Sequence, residues 1–194
     1  LGPVALLVGA RALGELDVTR VARPHIERLM EVTSETVHLS VLNEDTALCV
    51  DKIDSMRSIR MASYIGFRDP LHCSGVGKVL LAFQAEPERR EILARIELPK
   101  QTPRTITDKQ VLAAQLDEIC ARGYATDIEE IEEGVGCIAA PIRDHTSRVV
   151  ASVSISGPTT RLNAESFPSL IPVVLECAAA ISGDLGFHNR TVRA

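Results

Sequence analysis

The spacing of hydrophobic and polar positions changes near residue 34. Residues 3–13 are small and apolar with Arg11 as their only charge, which predicts a helix. Between residues 17 and 32, apolar side chains recur at helical spacing among arginines and glutamates, which predicts a second helix. Residues 36–42 instead alternate, with Val37, Leu39 and Val41 on one face, as in a half-buried strand. The pattern therefore predicts helices followed by a sheet.

A hairpin and then three helices are predicted for the middle of the chain. Residues 43–45 form a turn, residues 46–53 the returning strand, and residues 59–65 a third strand. Helices are predicted over residues 74–83, 87–96 and 107–122, and Pro87 suits a first helical position. Thr107 and Gln110 have the spacing of a capping box, and Gly123 is placed to end the last of these helices.

Strands return in the last third, over residues 124–128, 135–143 and 148–156, before a final helix over residues 165–185. Hairpin-linked triplets of strands separated by helices favour an α+β fold, in which helices cover an antiparallel sheet of about six strands. Residues 1–34 are assigned to N-terminal helices, residues 35–188 to the sheet domain and residues 189–194 to a tail.

Composition and charge argue against a nucleic-acid surface within these residues. Aromatic residues make up 3% of the chain and there is no Trp, which leaves little for bases to stack on. The net charge is −5, whereas duplex binding depends largely on Lys and Arg at phosphates. The sequence therefore predicts that this chain does not bind DNA by itself.

The cysteines indicate a reducing compartment. The chain has five cysteines, which are scattered along the sequence and include no C-x-x-C pair. This distribution favours free thiols in the cytoplasm. No apolar signal segment opens the chain, and no apolar run approaches the roughly 20 residues of a membrane span. Since the chain begins with Leu1 rather than Met, we expect a further N-terminal part.

Residues 66–82 carry the clearest chemical signal, a loop broken by Pro70 that leads small residues into an apolar helix. The first amides of a helix lack partners within it, so small residues there let an anion approach the backbone closely. A nucleotide-binding P-loop is excluded because His72 stands at its first glycine and Val79 follows Lys78. Lys78 is expected to be a solvated or interface charge.

The same stretch resembles the ligand-binding half of IclR-type transcriptional regulators. Further resemblance lies in Gly123–Tyr124–Ala125 with the run 134–142, in residues 151–158 followed by Arg161–Leu162, and in residues 1–13, which look like the connector helix of that family. The resemblance implies a GAF- or profilin-like effector-binding domain that is a sensor and not an enzyme. It also implies a homo-dimer or tetramer, and operator binding through a winged-helix domain that these residues do not include.

The effector implied by the resemblance is a small organic acid, aliphatic or aromatic, and no metal or cofactor is implied. Its carboxylate would sit on the helix start and on two serines of one strand face, with an aspartate and a cysteine opposite. The residues expected to bind it are Ser74, Gly75, Val76, Asp127, Cys137, Ser154, Ile155 and Ser156. Possible lining residues are Met61, Tyr64 and Leu71. The acidic run at residues 129, 130, 132 and 133 is expected to crowd the entry.

Simpler explanations stay open for each of these residues. Ser74 could only cap its helix, Cys137 could be a core thiol, and buried serines often bond to backbone or water. The domain could be a dimerisation module with a degenerate pocket, given the apolar residues 4–8. A cysteine hydrolase would pair Cys73 or Cys137 with a histidine such as His72, His38 or His145.

Overall fold

The computed structural model describes residues 17–188. Within them the chain forms five helices and six strands, an α+β fold as predicted. In chain order the elements are α1 (Asp17–Thr33), β1 (Thr36–Asn43), β2 (Thr46–Ile53), β3 (Arg68–Pro70), α2 (Gly75–Ala82), α3 (Glu86–Arg95), α4 (Lys109–Arg122), β4 (Ala125–Ile128), β5 (Val135–Arg143), β6 (Val149–Pro158) and α5 (Phe167–Asp184).

The strands form one antiparallel sheet in the order β3-β2-β1-β6-β5-β4. β1 and β6 lie side by side at its centre although they are far apart in sequence, so the two hairpin-linked triplets meet there. Register shifts between Leu39 and Ser40 and between Ile142 and Arg143 mark irregularities at which a strand bends. The sheet therefore joins both halves of the chain.

The two faces of the sheet are covered by different helices. α1 and α5 pack on one face, where Val37 and Leu39 of β1 meet Val153 and Ile155 of β6. α2 lies on the opposite face, with α4 packed beside it, in a second cluster of buried side chains. Because side chains alternate along a strand, the even-numbered positions of β6 point toward α2.

α5 is long and apolar enough to cross a membrane by length and composition alone. Its residues Val174, Ala178 and Ile181 are nevertheless buried in the core formed with the sheet. α1 shares that core through Ile26 and Leu29, so this one of the predicted N-terminal helices packs directly on the sheet. The helix predicted over residues 3–13 and the tail over residues 189–194 lie outside the described residues.

Two local predictions are wrong. Residues 59–65 are not a strand but an irregular segment, and the third strand of this half is the short β3. The N-cap of α4 is Asp108 rather than Thr107, since its carboxylate accepts hydrogen bonds from the amides of Gln110 (2.7 Å) and Val111 (3.0 Å). Gly123 ends α4 as predicted, at a φ of 83° that favours glycine.

Candidate functional site

A cavity of about 450 Å³ lies between the sheet and the start of α2. Its other walls are the irregular segment before β3 and the loop between β4 and β5. The lining residues are His38, Met61, Ala62, Ser63, Phe67, Asp69, Ser74, Gly75, Val76, Asp127, Ile131, Glu132, Val135, Cys137, Ser154 and Ser156. Residues from both halves of the chain therefore enclose one space.

The start of α2 forms the helical wall of the cavity. The Ser74 hydroxyl donates to the Pro70 carbonyl (2.7 Å) and accepts from the Gly77 amide (3.0 Å), so Ser74 caps the helix. That bond serves the third amide of α2, and the amides of Gly75 and Val76 are the first two, which have no acceptor within a helix. These two residues line the cavity, at the positive end of the helix dipole.

Close packing explains the glycine at position 75. A Cβ atom there would lie 2.7 Å from the Cys137 sulfur and 3.4 Å from the Ala139 Cβ. The first turn of α2 thus rests directly on β5, and the backbone itself forms the cavity wall. A larger residue would move the helix start away from the sheet.

Two rows of small or polar side chains cross the sheet beneath the helix. In one row Asp127 of β4 pairs with Cys137 of β5, which pairs with Ser156 of β6. In the other, Ser154 of β6 pairs with His38 of β1. Each row belongs to the face opposite the core of α1 and α5. Alternation along the strands therefore gathers hydroxyl, thiol, imidazole and carboxyl groups on one face.

His38 connects the sheet to the irregular segment. Its Nε2 atom lies 2.6 Å from the Ser63 hydroxyl. Burial, with Lys52 nearby, lowers the pKa of His38 to about 4, so the imidazole is neutral at pH 7. Lys52 fixes the same segment by donating to the carbonyls of Met61 (3.3 Å) and Ser63 (2.6 Å).

Two carboxyl groups in the cavity have raised pKa values. Asp127 is 1% exposed, and its Oδ1 accepts a hydrogen bond from the Glu130 amide (2.8 Å). Burial raises the pKa of Asp127 to about 7 and that of Asp69 to about 6, because both carboxylates lose hydration. No Lys or Arg is among the lining residues that the structure describes.

Lys78 is fully buried, so the prediction of a solvated or interface charge is wrong. Its Nζ donates to the Thr126 carbonyl (2.8 Å) and pairs with the Glu130 carboxylate. The acidic run therefore does not act as one charged surface at the entry. Glu130 is neutralised by Lys78, Glu129 bonds to the Gly134 amide (3.0 Å) and pairs with Arg104 (3.2 Å), and Glu132 lines the cavity.

Most of the predicted binding residues meet at this cavity. Those that line it are Ser74, Gly75, Val76, Asp127, Cys137, Ser154, Ser156 and Met61. Ile155 does not, because its side chain lies in the core on the other face of the sheet. Leu71 is buried in the core beneath α2, and Tyr64 is 62% exposed with its ring edge-on to Phe67.

Several lining residues are not among the predicted binding residues, chiefly His38, Ser63, Phe67 and Asp69. The alternation of β1 carries a signal for His38, since His38 lies opposite Val37 and Leu39 in a strand whose other face is apolar. Phe67 and Asp69 lie within or beside the stretch that was singled out, but their facing direction depends on a short edge strand. No periodic pattern in the sequence indicates that Ser63 lines the cavity.

The chemistry of a cysteine hydrolase is not supported here. Burial raises the pKa values of Cys73 and Cys137 to about 12, so neither thiol is ionised at neutral pH. The His72 Nε2 atom lies 3.0 Å from the Pro99 carbonyl and not beside a thiol partner. Among residues 17–188, no group of three or more His, Cys, Asp or Glu side chains could hold a metal ion.

A known domain family and several known regulators are similar to this chain in sequence. The domain family described as the C-terminal part of the bacterial transcriptional regulator IclR matches residues 10–183. The transcriptional regulator KdgR of Escherichia coli is 41% identical over 94% of this chain and 69% of its own length. The repressor AllR of the same species is 38% identical over 92% of this chain and 66% of its own. The chain thus spans about two thirds of the length of these relatives.

Solved structures share the fold. The IclR structure of Thermotoga maritima superposes with a TM-score of 0.90 at 37% identity, over 96% of this chain and 75% of that chain. A double mutant of the inducer-binding domain of PobR from Acinetobacter, in complex with 3-hydroxybenzoic acid, gives 0.77 at 27% identity, over 84% and 96%. An IclR homologue of Microbacterium hydrocarbonoxydans, in complex with 4-hydroxybenzoate, gives 0.79 at 29% identity, over 88% and 68%.

Proposed function

The chain belongs to the IclR family of bacterial transcriptional regulators, and we propose that it binds a small organic acid in the cavity at the start of α2 and thereby modulates operator binding by a winged-helix domain. It is the effector-binding domain of a regulator and not an enzyme. The complete regulator would act in the cytoplasm as a homo-dimer or tetramer.

One observation carries the proposal: the first two residues of α2, whose amides have no acceptor within the helix, line a cavity. Backbone amides at a helix start are donors aimed at an anion and are favoured by the helix dipole. The cavity, about 450 Å³, lies within the roughly 300–1,000 Å³ typical of small-molecule sites. A carboxylate on the amides of Gly75 and Val76 would leave the rest of the acid facing the serines of β6.

The polar groups on the sheet suit an acid that also carries hydroxyl groups. Ser154 and Ser156 can donate or accept, and the Asp127 carboxyl can accept a hydrogen bond from a ligand hydroxyl or donate one when protonated. Met61, Phe67 and Val76 would cover the apolar part of the ligand. Two structural neighbours hold hydroxylated benzoic acids, which supports an acid of this size and polarity.

Regulation would follow from differential binding. A ligand shifts an equilibrium between two arrangements only by the difference in its affinity for them. Coupling free energies between two sites of a protein are typically about 1–3 kcal/mol, and a coupling of that size between effector site and operator would suffice. The chain would thus act without making or breaking covalent bonds.

A thermal-shift screen against small aliphatic and aromatic carboxylates tests the proposal. A ligand that binds only the folded state adds about 2.7 kcal/mol of stability at a hundredfold excess over Kd. We expect a hit that weakens at least tenfold in Ser154→Ala. Ser152→Ala is the matched control, because Ser152 is a buried serine of the same strand face that bonds to the Ala140 carbonyl (3.2 Å) and does not line the cavity. The absence of any hit, or equal weakening in both variants, would contradict the proposal.

A further inference from the structure

The cavity combines an anion-binding helix start with acidic side chains. Asp69, Asp127 and Glu132 all line it, while no Lys or Arg does among the residues that the structure describes. His38 supplies no positive charge, because the buried imidazole is neutral at pH 7. An anionic ligand therefore meets carboxyl groups without a cationic side chain to offset them.

Asp127 has titratable neighbours on each element packed against it. The groups that act on it or share its space are Glu130 and Glu132 of the β4–β5 loop, Lys78 of α2, Cys73 before α2, Cys137 of β5, His38 of β1 and Asp69 of β3. Lys78 is the one cation in this set, and its ammonium group is bound to the Thr126 carbonyl and the Glu130 carboxylate. Its charge is therefore already compensated by Glu130.

The two thiols remain neutral because of their burial. A ligand carboxylate at the amides of Gly75 and Val76 would thus add a negative charge near Asp127 in a site of low polarity. Two carboxylates that share such a site do not both stay ionised, since the proton of one relieves the repulsion. A protonated carboxyl also gains an O–H donor, which a ligand oxygen can accept.

We propose that the acid enters this cavity together with one proton, which is held on Asp127, so that effector binding is coupled to pH. The inference rests on the proposed function, because it concerns the same site. When Asp127 is ionised in the free protein, binding takes up a proton from solution: the carboxylate of Asp127 becomes a carboxyl group and the ligand stays an anion. Affinity then falls as the pH rises above the pKa of Asp127.

Titration calorimetry of the full chain with 4-hydroxybenzoate and with gluconate tests this coupling. Both probes remain monoanions between pH 6 and pH 8, so their own ionisation does not contribute. With a free-state pKa of Asp127 of about 7, the affinity of at least one probe should fall about tenfold between pH 6 and pH 8. At pH 8 the measured heat should depend on the ionisation enthalpy of the buffer, in proportion to nearly one proton taken up.

Two variants and an uncharged probe test whether the proton taken up on binding is held on Asp127. In Asp127→Asn, which keeps an oxygen for the Glu130 amide, the affinity should no longer depend on pH and the buffer dependence should vanish. Asp69→Asn should retain both effects. The uncharged 4-hydroxybenzamide should show no proton uptake. Melting curves of both variants verify that they are folded.

Different results would refute the proposed acid site and the proposed proton coupling. Binding of either acid with equal affinity at pH 6 and pH 8, and without buffer dependence, would overturn the proton coupling and leave the acid site intact. Coupling that persists in Asp127→Asn and vanishes in Asp69→Asn would overturn its assignment to Asp127. If neither acid binds at any pH between 6 and 8, the acid site and its proton coupling both fail.

Discussion

The contact between α2 and β5 can be tested by Gly75→Ala. The added methyl group would lie 2.7 Å from the Cys137 sulfur, well inside normal contact distance, and 3.4 Å from the Ala139 Cβ. Cys137 is buried, and its strand β5 is paired on both sides, with β4 and β6, so its backbone is held in place. The helix start would have to shift away from the sheet, and with it the amides that line the cavity.

The expected magnitude is a balance of two effects. Overpacking a filled core costs about 1–3 kcal/mol, while alanine gains up to about 1 kcal/mol over glycine in a helix. We therefore expect Gly75→Ala to lower the free energy of unfolding by about 1–2 kcal/mol. In a domain of this size that corresponds to a Tm lower by about 2–8 °C.

Cys137→Ala provides the matched control because it removes the atom that the new methyl group meets. The double variant should be more stable than the sum of the two single changes predicts, with a coupling of about 1–2 kcal/mol. Urea unfolding of the four proteins measures this coupling, and acid binding by the same proteins reports the position of the helix start. Additive changes, or a Gly75→Ala variant as stable as the parent, would refute the packing argument.

Two further predictions concern buried charges near the cavity. Lys78→Met should lower the free energy of unfolding by about 3–5 kcal/mol, because it leaves the Glu130 carboxylate buried without its partner. Lys78→Met combined with Glu130→Met should restore most of that loss in urea unfolding; a double variant as unstable as the single one would contradict this. Burial raises the pKa of Asp127 from 3.8 to about 7, so the native state retains a proton that the unfolded chain has lost. The free energy of unfolding should therefore fall by up to about 4 kcal/mol as the pH rises from 4 to 7, and less steeply in Asp127→Asn; parallel curves for the two proteins would contradict it.

The sequence predicts the sheet well because burial of one strand face leaves a period of two. Val37 and Leu39 of β1 pack in the core, and His38 between them faces the cavity, as alternation requires. The same rule places Ser154 and Ser156 together and puts Ile155 on the opposite side. Strand geometry alone therefore predicts that the Ile155 side chain faces the core and not the cavity.

Residues 59–65 show where periodicity misleads. Their apolar residues do not mark a buried strand, since Ile59, Tyr64 and Ile65 are exposed. Met61 instead turns toward the cavity, and hydrogen bonds with Lys52 of β2 and His38 of β1 hold the segment. The spacing of apolar residues along the chain does not predict hydrogen bonds between residues that are distant in sequence.

Lys78 illustrates a second limit. A lysine on an apolar helix is usually solvated at its tip, and burial is favourable only with a partner such as Glu130. That partner lies 52 positions along the chain, on a loop that the sheet brings back beneath α2. The pairing depends on the complete fold, so helix periodicity could not reveal it.

The division of the cavity between rigid and irregular walls explains how one fold can serve different acids. The donors of α2 and the serines of β6 are held by the helix and by strand pairing, so under the proposed function the fold would set the position of a ligand carboxylate. Three of the apolar lining residues, Met61, Phe67 and Ile131, lie in segments outside the helices and strands. Connecting segments tolerate substitution far better than paired strands do. We therefore expect exchanges at these three positions to change which acid binds while the carboxylate site is kept, which assigns anion binding to α2 and β6 and selectivity to the loops.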